Sequence, residues 1–216
     1  MENSVCRYLQ NNFKGLELAP PLFYRWPIGV RFEIGSPEAG VWRDFENGVL
    51  NTLYFEKALQ REVSICDAVF SESDDVDVVY EILGHRRRKI KMKSYVLRQI
   101  NDSARKHVTF ASKKVDGARG QYRKIAYVTG AISREVNYAN LFLSIVNTDF
   151  PQRKPSLRGR CYFVNRTKGM ILHLYDDRGM DVIATNRSAL REVYVRCNDW
   201  ILDQDKPGID ALFLNE

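Results

Sequence analysis

Three short apolar segments joined by tight turns do most to limit the folds open to this chain. Arg160–Thr167, Met170–Tyr175 and Met180–Ala184 are rich in β-branched, aromatic and other apolar residues. Thr167-Lys168-Gly169 and Asp176-Asp177-Arg178-Gly179 separate them. Turns this short fold a strand back onto its neighbour, and a glycine in the left-handed position suits them. Parallel neighbours need a crossover of a dozen residues or more. An antiparallel three-strand meander is therefore predicted. A helix capped by Thr185 or Asn186 follows, with Leu190, Val193, Tyr194, Cys197, Trp200 and Ile201 along one face. Pro207-Gly208 then turns the chain into a last helix over Ile209–Leu214.

Upstream, the pattern mixes both kinds of element. Ser4 to Lys14 is predicted as a short helix stopped by Gly15. Pro20, Pro21 and Pro27 keep the next segment extended. Val30, Phe32 and Ile34 alternate with Arg31 and Glu33 as a half-buried strand. Residues 36–48 are predicted as a loop and Val49 to Phe70 as a long helix, its stripe made by Phe55, Ala58, Leu59, Cys66, Val69 and Phe70. Residues 76–82, 108–112 and 122–129 are strands, 93–100 and 138–146 helices, and 113–124 an exposed, mobile loop or hairpin tip. Strands arriving as hairpins with helices grouped between them indicate an α+β fold: an antiparallel or mixed sheet with amphipathic helices packed on it, ending in the three-strand meander and its helices. At 216 residues one domain is expected over 1–216, with 152–160 the place for a sub-division between an N-terminal α+β part and a C-terminal βββα part.

Charge is distributed unevenly. Between His85 and Lys124 fourteen lysines and arginines face only Asp102 and Asp116, a net of +12, while residues 1–84 carry −7 and the whole chain +6. One basic region beside acidic surroundings favours an acidic partner. No apolar run approaches the ~20 residues needed to cross a bilayer, and MENSVCRYLQ has neither a basic leader nor an apolar core. No membrane association is expected. A soluble cytoplasmic protein is, with Cys6, Cys66, Cys161 and Cys197 reduced and mostly buried.

The stretches PPLFYRWPIGVRFEIG and RCYFVNRTKGMILHLYDDRGMDVIATNRSALREVYVRCNDWILD resemble a bacterial family of small stand-alone proteins catalogued as a domain of unknown function. The likeness spans both ends of the chain and is weakest in the basic middle. The resemblance implies one intact bacterial domain. By analogy alone, small bacterial families of this type resemble immunity proteins made beside interbacterial toxins.

Motifs for chemistry are missing. Asp176, Asp177 and Asp181 near His173 would be a metal or acid–base cluster, but Asp-rich hairpin turns need no metal. Arg31 and Glu33 would be an ion pair on the wet side of a sheet. His85 and His107 stand alone. No phosphate loop, nucleophile elbow, Cys–His signature or C-x-x-C occurs, so no catalytic residue, metal or cofactor is expected. The expected function is a non-enzymatic protein-binding module, an immunity protein that occludes an acidic bacterial toxin. The partner-binding residues would be Arg86, Arg87, Arg88, Lys89, Lys91, Lys93, Lys113, Lys114, Arg119, Tyr122 and Arg123, the first six as a row of cations along a strand edge. The alternative is RNA or DNA binding by the same segment, with Tyr95, Phe110 and Tyr122 stacking on bases.

Overall fold

A computed structural model describes residues 3–85 and 89–214. Its core is one seven-stranded sheet in which every neighbouring pair runs antiparallel. The strands are β1 (Gly29–Glu33), β4 (Asp75–His85), β5 (His107–Lys114), β6 (Gln121–Ile132), β7 (Arg160–Asn165), β8 (Met170–Leu174) and β9 (Gly179–Ala184), in the order β1-β9-β8-β7-β4-β6-β5. The predicted meander is β7-β8-β9. The chain is α+β. Strands before and after residues 152–160 share this sheet, since β4 pairs with β7 and β1 with β9.

Alternation assigns each strand residue to a face. Val30, Phe32, Val78, Phe163, Leu172 and Val182 point to one side, where α2 (Thr52–Val69), α4 (Tyr138–Val146) and α5 (Arg187–Arg196) pack. The short α3 (Tyr95–Arg98) and α6 (Lys206–Leu214) join the same core through Val96, Leu97, Ile209 and Phe213. Val79, Tyr127, Tyr162, Val164, Ile171 and Ile183 point the other way. They are covered by α1 (Ser4–Asn12) and the segment after it, which contribute Val5, Phe13, Leu22 and Trp26. Four of the longer helices start on asparagine. Asn3, Asn51, Asn137 and Asn186 each accept a bond from an N–H of the first turn, worth about 1 kcal/mol apiece.

Several boundaries differ from expectation. Residues 36–48 are not wholly a loop: β2 (Trp42–Asp44) pairs with β3 (Val49–Leu50), so α2 begins at Thr52 rather than Val49. The helix expected over 93–100 is a single turn, α3, because Ile100 leaves it to bridge to Val136. The segment 113–124, predicted as a loop or hairpin tip, is a hairpin tip over 115–120 flanked by ladder, with Lys113 opposite Arg123 and Lys114 opposite Tyr122. Pairing across the hairpin overrode a local sequence that signals only turn. The last helix starts at Lys206, with Pro207 and Gly208 inside its first turn, where proline loses no helical bond. Among the described residues no helix is long and apolar enough to cross a membrane. All four cysteines are free.

Candidate partner-binding groove

The basic segment divides into parts with different fates. Arg86, Arg87 and Arg88 lie outside the described residues. Lys89, Lys91 and Lys93 are exposed but not on a strand: the ladder of β4 with β6 ends at His85 opposite Gln121, and Ile90 turns into the helix-side core. The expected strand-edge row of cations is therefore absent over 89–93, for want of a partner strand. Arg105 and Lys106 bind Asp75 (2.6 Å) and Asp102 (2.5 Å). Lys124 is buried and donates to the His85 carbonyl at 3.4 Å. These three are structural.

Lys113, Lys114 and Arg123 come together at the turn end of the β5–β6 hairpin. Residue parity puts Lys113 and Arg123 on the sheet face carrying α1, and Lys114 and Tyr122 on the helix-side face. Arg119 sits exposed in the tip. Arg123 reaches Glu81 of β4 (Nε to Oε1, 3.4 Å) and Glu17 after α1 (Nη1 to Oε1, 3.2 Å). Arg160 of β7 approaches the same Glu81 oxygen at 3.8 Å. Gly159, with φ +104°, allows this approach, since a Cβ there would collide with the Glu81 carbonyl oxygen. Glu81 is only 5% exposed. Burial pushes its carboxyl pKa up, against the opposing pull of Arg123 and Arg160.

A groove of about 450 Å³ runs from this cluster between residues 9–18 and the sheet, over Leu16, Leu18, Val79, Ile125 and Tyr127. A second hollow of about 440 Å³ opens on its far side, lined by Lys113, Lys114, Asp116 and Arg160. The two share Glu17, Glu81, Lys113 and Arg123. Two guanidinium groups on one carboxylate, with two lysines that make no ion pair among the described residues, form a seat that can exchange its internal acid for an external anion.

Further along this face, His173 stacks on Tyr162 (centroids 4.4 Å, 17°). Neither ring nitrogen of His173 has a hydrogen-bond partner, and burial, with Arg160 adding to it, pushes its pKa down to about 3. Asp181, directly opposite His173, accepts from the Phe23 N–H (3.0 Å) and the Tyr175 hydroxyl. His173 and Asp181 thus lie apart from Asp176 and Asp177 at the turn. Asp177 accepts from Tyr54 at 2.6 Å, and Asp176 is clamped by Arg178. Asp149, Asp176 and Asp177 bring oxygens within 4.8 Å of one another, and Arg178 is the cation paired with Asp176 and Asp149 there. The expected Arg31–Glu33 pair does not form. Arg31 binds Asp205 (3.4 Å) and the Tyr24 hydroxyl (2.9 Å), whereas Arg61 takes the Glu33 carbonyl.

Glu17, Glu81 and Arg160 complete the groove and carry no sequence signal of their own. Arg160 meets Glu81 only through the β4–β7 register. Glu62 was missed as well, although its place seven residues after Phe55 on the apolar stripe of α2 is a signal: it is fully buried, with both oxygens unpartnered.

The chain is 27% identical over 210 residues to "Uncharacterized protein YnaE" of Bacillus subtilis (strain 168), covering 92% of this chain and 97% of that protein. No solved structure matches. Residues 5–205 match the family described as Domain of unknown function (DUF3885), and the chain belongs to that bacterial family.

Proposed function

We propose that this protein is a non-enzymatic binding module of the immunity type, which seats an acidic surface of a bacterial toxin on the basic end of the sheet and so blocks the toxin's cleft. The observation that carries the reading is the placement of Lys113 and Lys114, free of ion pairs among the described residues, beside an Arg123–Glu81–Arg160 cluster that already holds carboxylates. A partner's Asp or Glu would replace Glu17 on Arg123. The Glu17 side chain is 64% exposed, so leaving costs little desolvation. Long-range attraction would speed the encounter, and the apolar groove over Val79 and Ile125 would supply the contact area.

Nucleic-acid binding is the weaker reading. Two of the three aromatic residues it needs are engaged elsewhere: the Tyr95 hydroxyl bonds the Asn140 carbonyl at 3.1 Å, and Phe110 packs on the helix-side core.

The test is co-expression with the product of the neighbouring gene. The pair should co-purify and the host should survive, and K113E/K114E/R119E should slow association at least about tenfold at low salt. Failure to co-purify, or unchanged association by the triple variant, overturns the proposal. A single-stranded oligonucleotide bound with a steep salt dependence would move the assignment to nucleic acid.

A further inference from the structure

The two rims of the sheet are finished differently. An antiparallel ladder alternates directly opposed pairs that exchange both hydrogen bonds with pairs that exchange none, so one such bond fixes which residues face outward. At β1, the Ile34 N–H bonds the carbonyl of Arg178, its opposite residue. Arg31 and Glu33 must then turn their backbone groups away from β9. Both carbonyls are met: Leu202 N–H reaches Arg31 at 3.1 Å, and the Arg61 guanidinium reaches Glu33 at 3.3 Å.

At β5 the marker is the bond from the Val115 N–H to the Gln121 carbonyl at 3.0 Å, one step beyond the Lys114–Tyr122 pair. By the same parity Val108, Phe110, Ser112 and Lys114 turn their N–H and C=O groups outward. Among the described residues, β5 pairs with β6 alone and no hydrogen bond reaches those outward groups.

We propose that the outer rim of β5 is a docking strand, and that an extended acidic segment of the partner protein adds to it as an eighth strand. The inference rests on the proposed function and specifies how the partner is held. Charge selects the occupant. The strand HVTFASKK contains no acid and ends in Lys113 and Lys114, with Arg119 in the adjoining tip. Rims guarded against pairing carry charge, proline or a bulge along their length. Here residues 108–112 carry no charge and no proline, and the register with β6 is unbroken over all eight residues. Backbone bonds along 108–112 would hold the segment, and its carboxylates would meet the lysines at the end.

The probe is a fluorescein-labelled ten-residue peptide alternating glutamate with valine and threonine. A peptide with proline at every second position is the control. Binding should be seen by anisotropy for the first peptide only, and amide exchange by NMR should slow at Val108, Phe110, Ser112 and Lys114. Ser112→Pro removes one outward N–H without touching the β6 ladder, and should weaken binding about tenfold while β6 amides stay protected. Lys114→Pro repeats the test nearer the tip if Ser112→Pro unfolds. Peptide binding with those four amides unchanged overturns strand addition and leaves an acidic partner in the Arg123–Arg160 seat. Absence of binding overturns strand addition, and co-purification then decides the parent reading by itself. Concentration-dependent protection of the four amides in the free protein, lost with Ser112→Pro, would assign the rim to a second copy of the chain and overturn the acidic segment.

Discussion

The two faces of the sheet are built to different rules. The side under α2, α4 and α5 is an aromatic and aliphatic interior, with Phe142 and Phe163 in edge contact at 5.7 Å. One ionisable carboxyl, Glu62, sits in it without a partner. The side under α1 and residues 13–26 holds most of the paired buried charge. Asp77 is held by Arg166, Glu81 by Arg123 and Arg160, and Asp181 by the Phe23 N–H and Tyr175, with His173 among them. One face is an apolar interior, and the other keeps buried charges in pairs. The cost is that single buried groups answer to pH in opposite directions, His173 on the α1 side and Glu62 on the helix side.

The largest expected effect tests that opposition. His173 titrates at about 3 in the folded protein against ~6.5 unfolded. Its lowered pKa means that the unfolded chain binds the extra proton between those values. Stability is therefore complete above about pH 6.5 and falls as pH drops toward 3, by about 4–5 kcal/mol in all. His173→Phe should flatten most of this acid limb in thermal melts. An unchanged limb would separate His173 from the acid sensitivity.

Phe163→Ala, on the helix side, should cost about 3–5 kcal/mol at any pH from lost transfer energy and a cavity, measured by urea unfolding. Glu62 acts in the other direction from His173. Burial, with Asp177 adding to it, raises its pKa well above the usual carboxylate range. The folded state therefore holds a proton that the unfolded state gives up, and stability is lost as pH climbs above about 4.5. Glu62→Leu should add about 1 kcal/mol at pH 4, where it removes an unpartnered neutral carboxyl, and about 2–3 kcal/mol at pH 8, and an equal gain at both would break the comparison. The smallest effect belongs to Tyr162. Its hydroxyl makes no hydrogen bond of good geometry, so Tyr162→Phe should change stability by less than about 1 kcal/mol.

Much of the fold was legible because period and turn agree locally. The meander needed only its two short turns, and β1 its alternation of Val30, Phe32 and Ile34 with polar residues. The site was harder. Lys113 and Arg123 were visible as cations, but their shared face depends on hairpin register. Arg160 was legible as the start of a strand, and becomes part of the groove only because β4 lies between β7 and β6, an order set by packing across the whole sheet. Glu62 could have been flagged by its position: a charge seven residues along an apolar stripe predicts a buried carboxyl.

The closure of β1 by Ile201 and Leu202 has a consequence for assembly. Strand addition needs a rim whose outward backbone groups are free, and here the Leu202 N–H already occupies the Arg31 carbonyl. Cleavage of the chain before residue 201 would uncover the Arg31 carbonyl, and the β1 rim would then be open to strand addition.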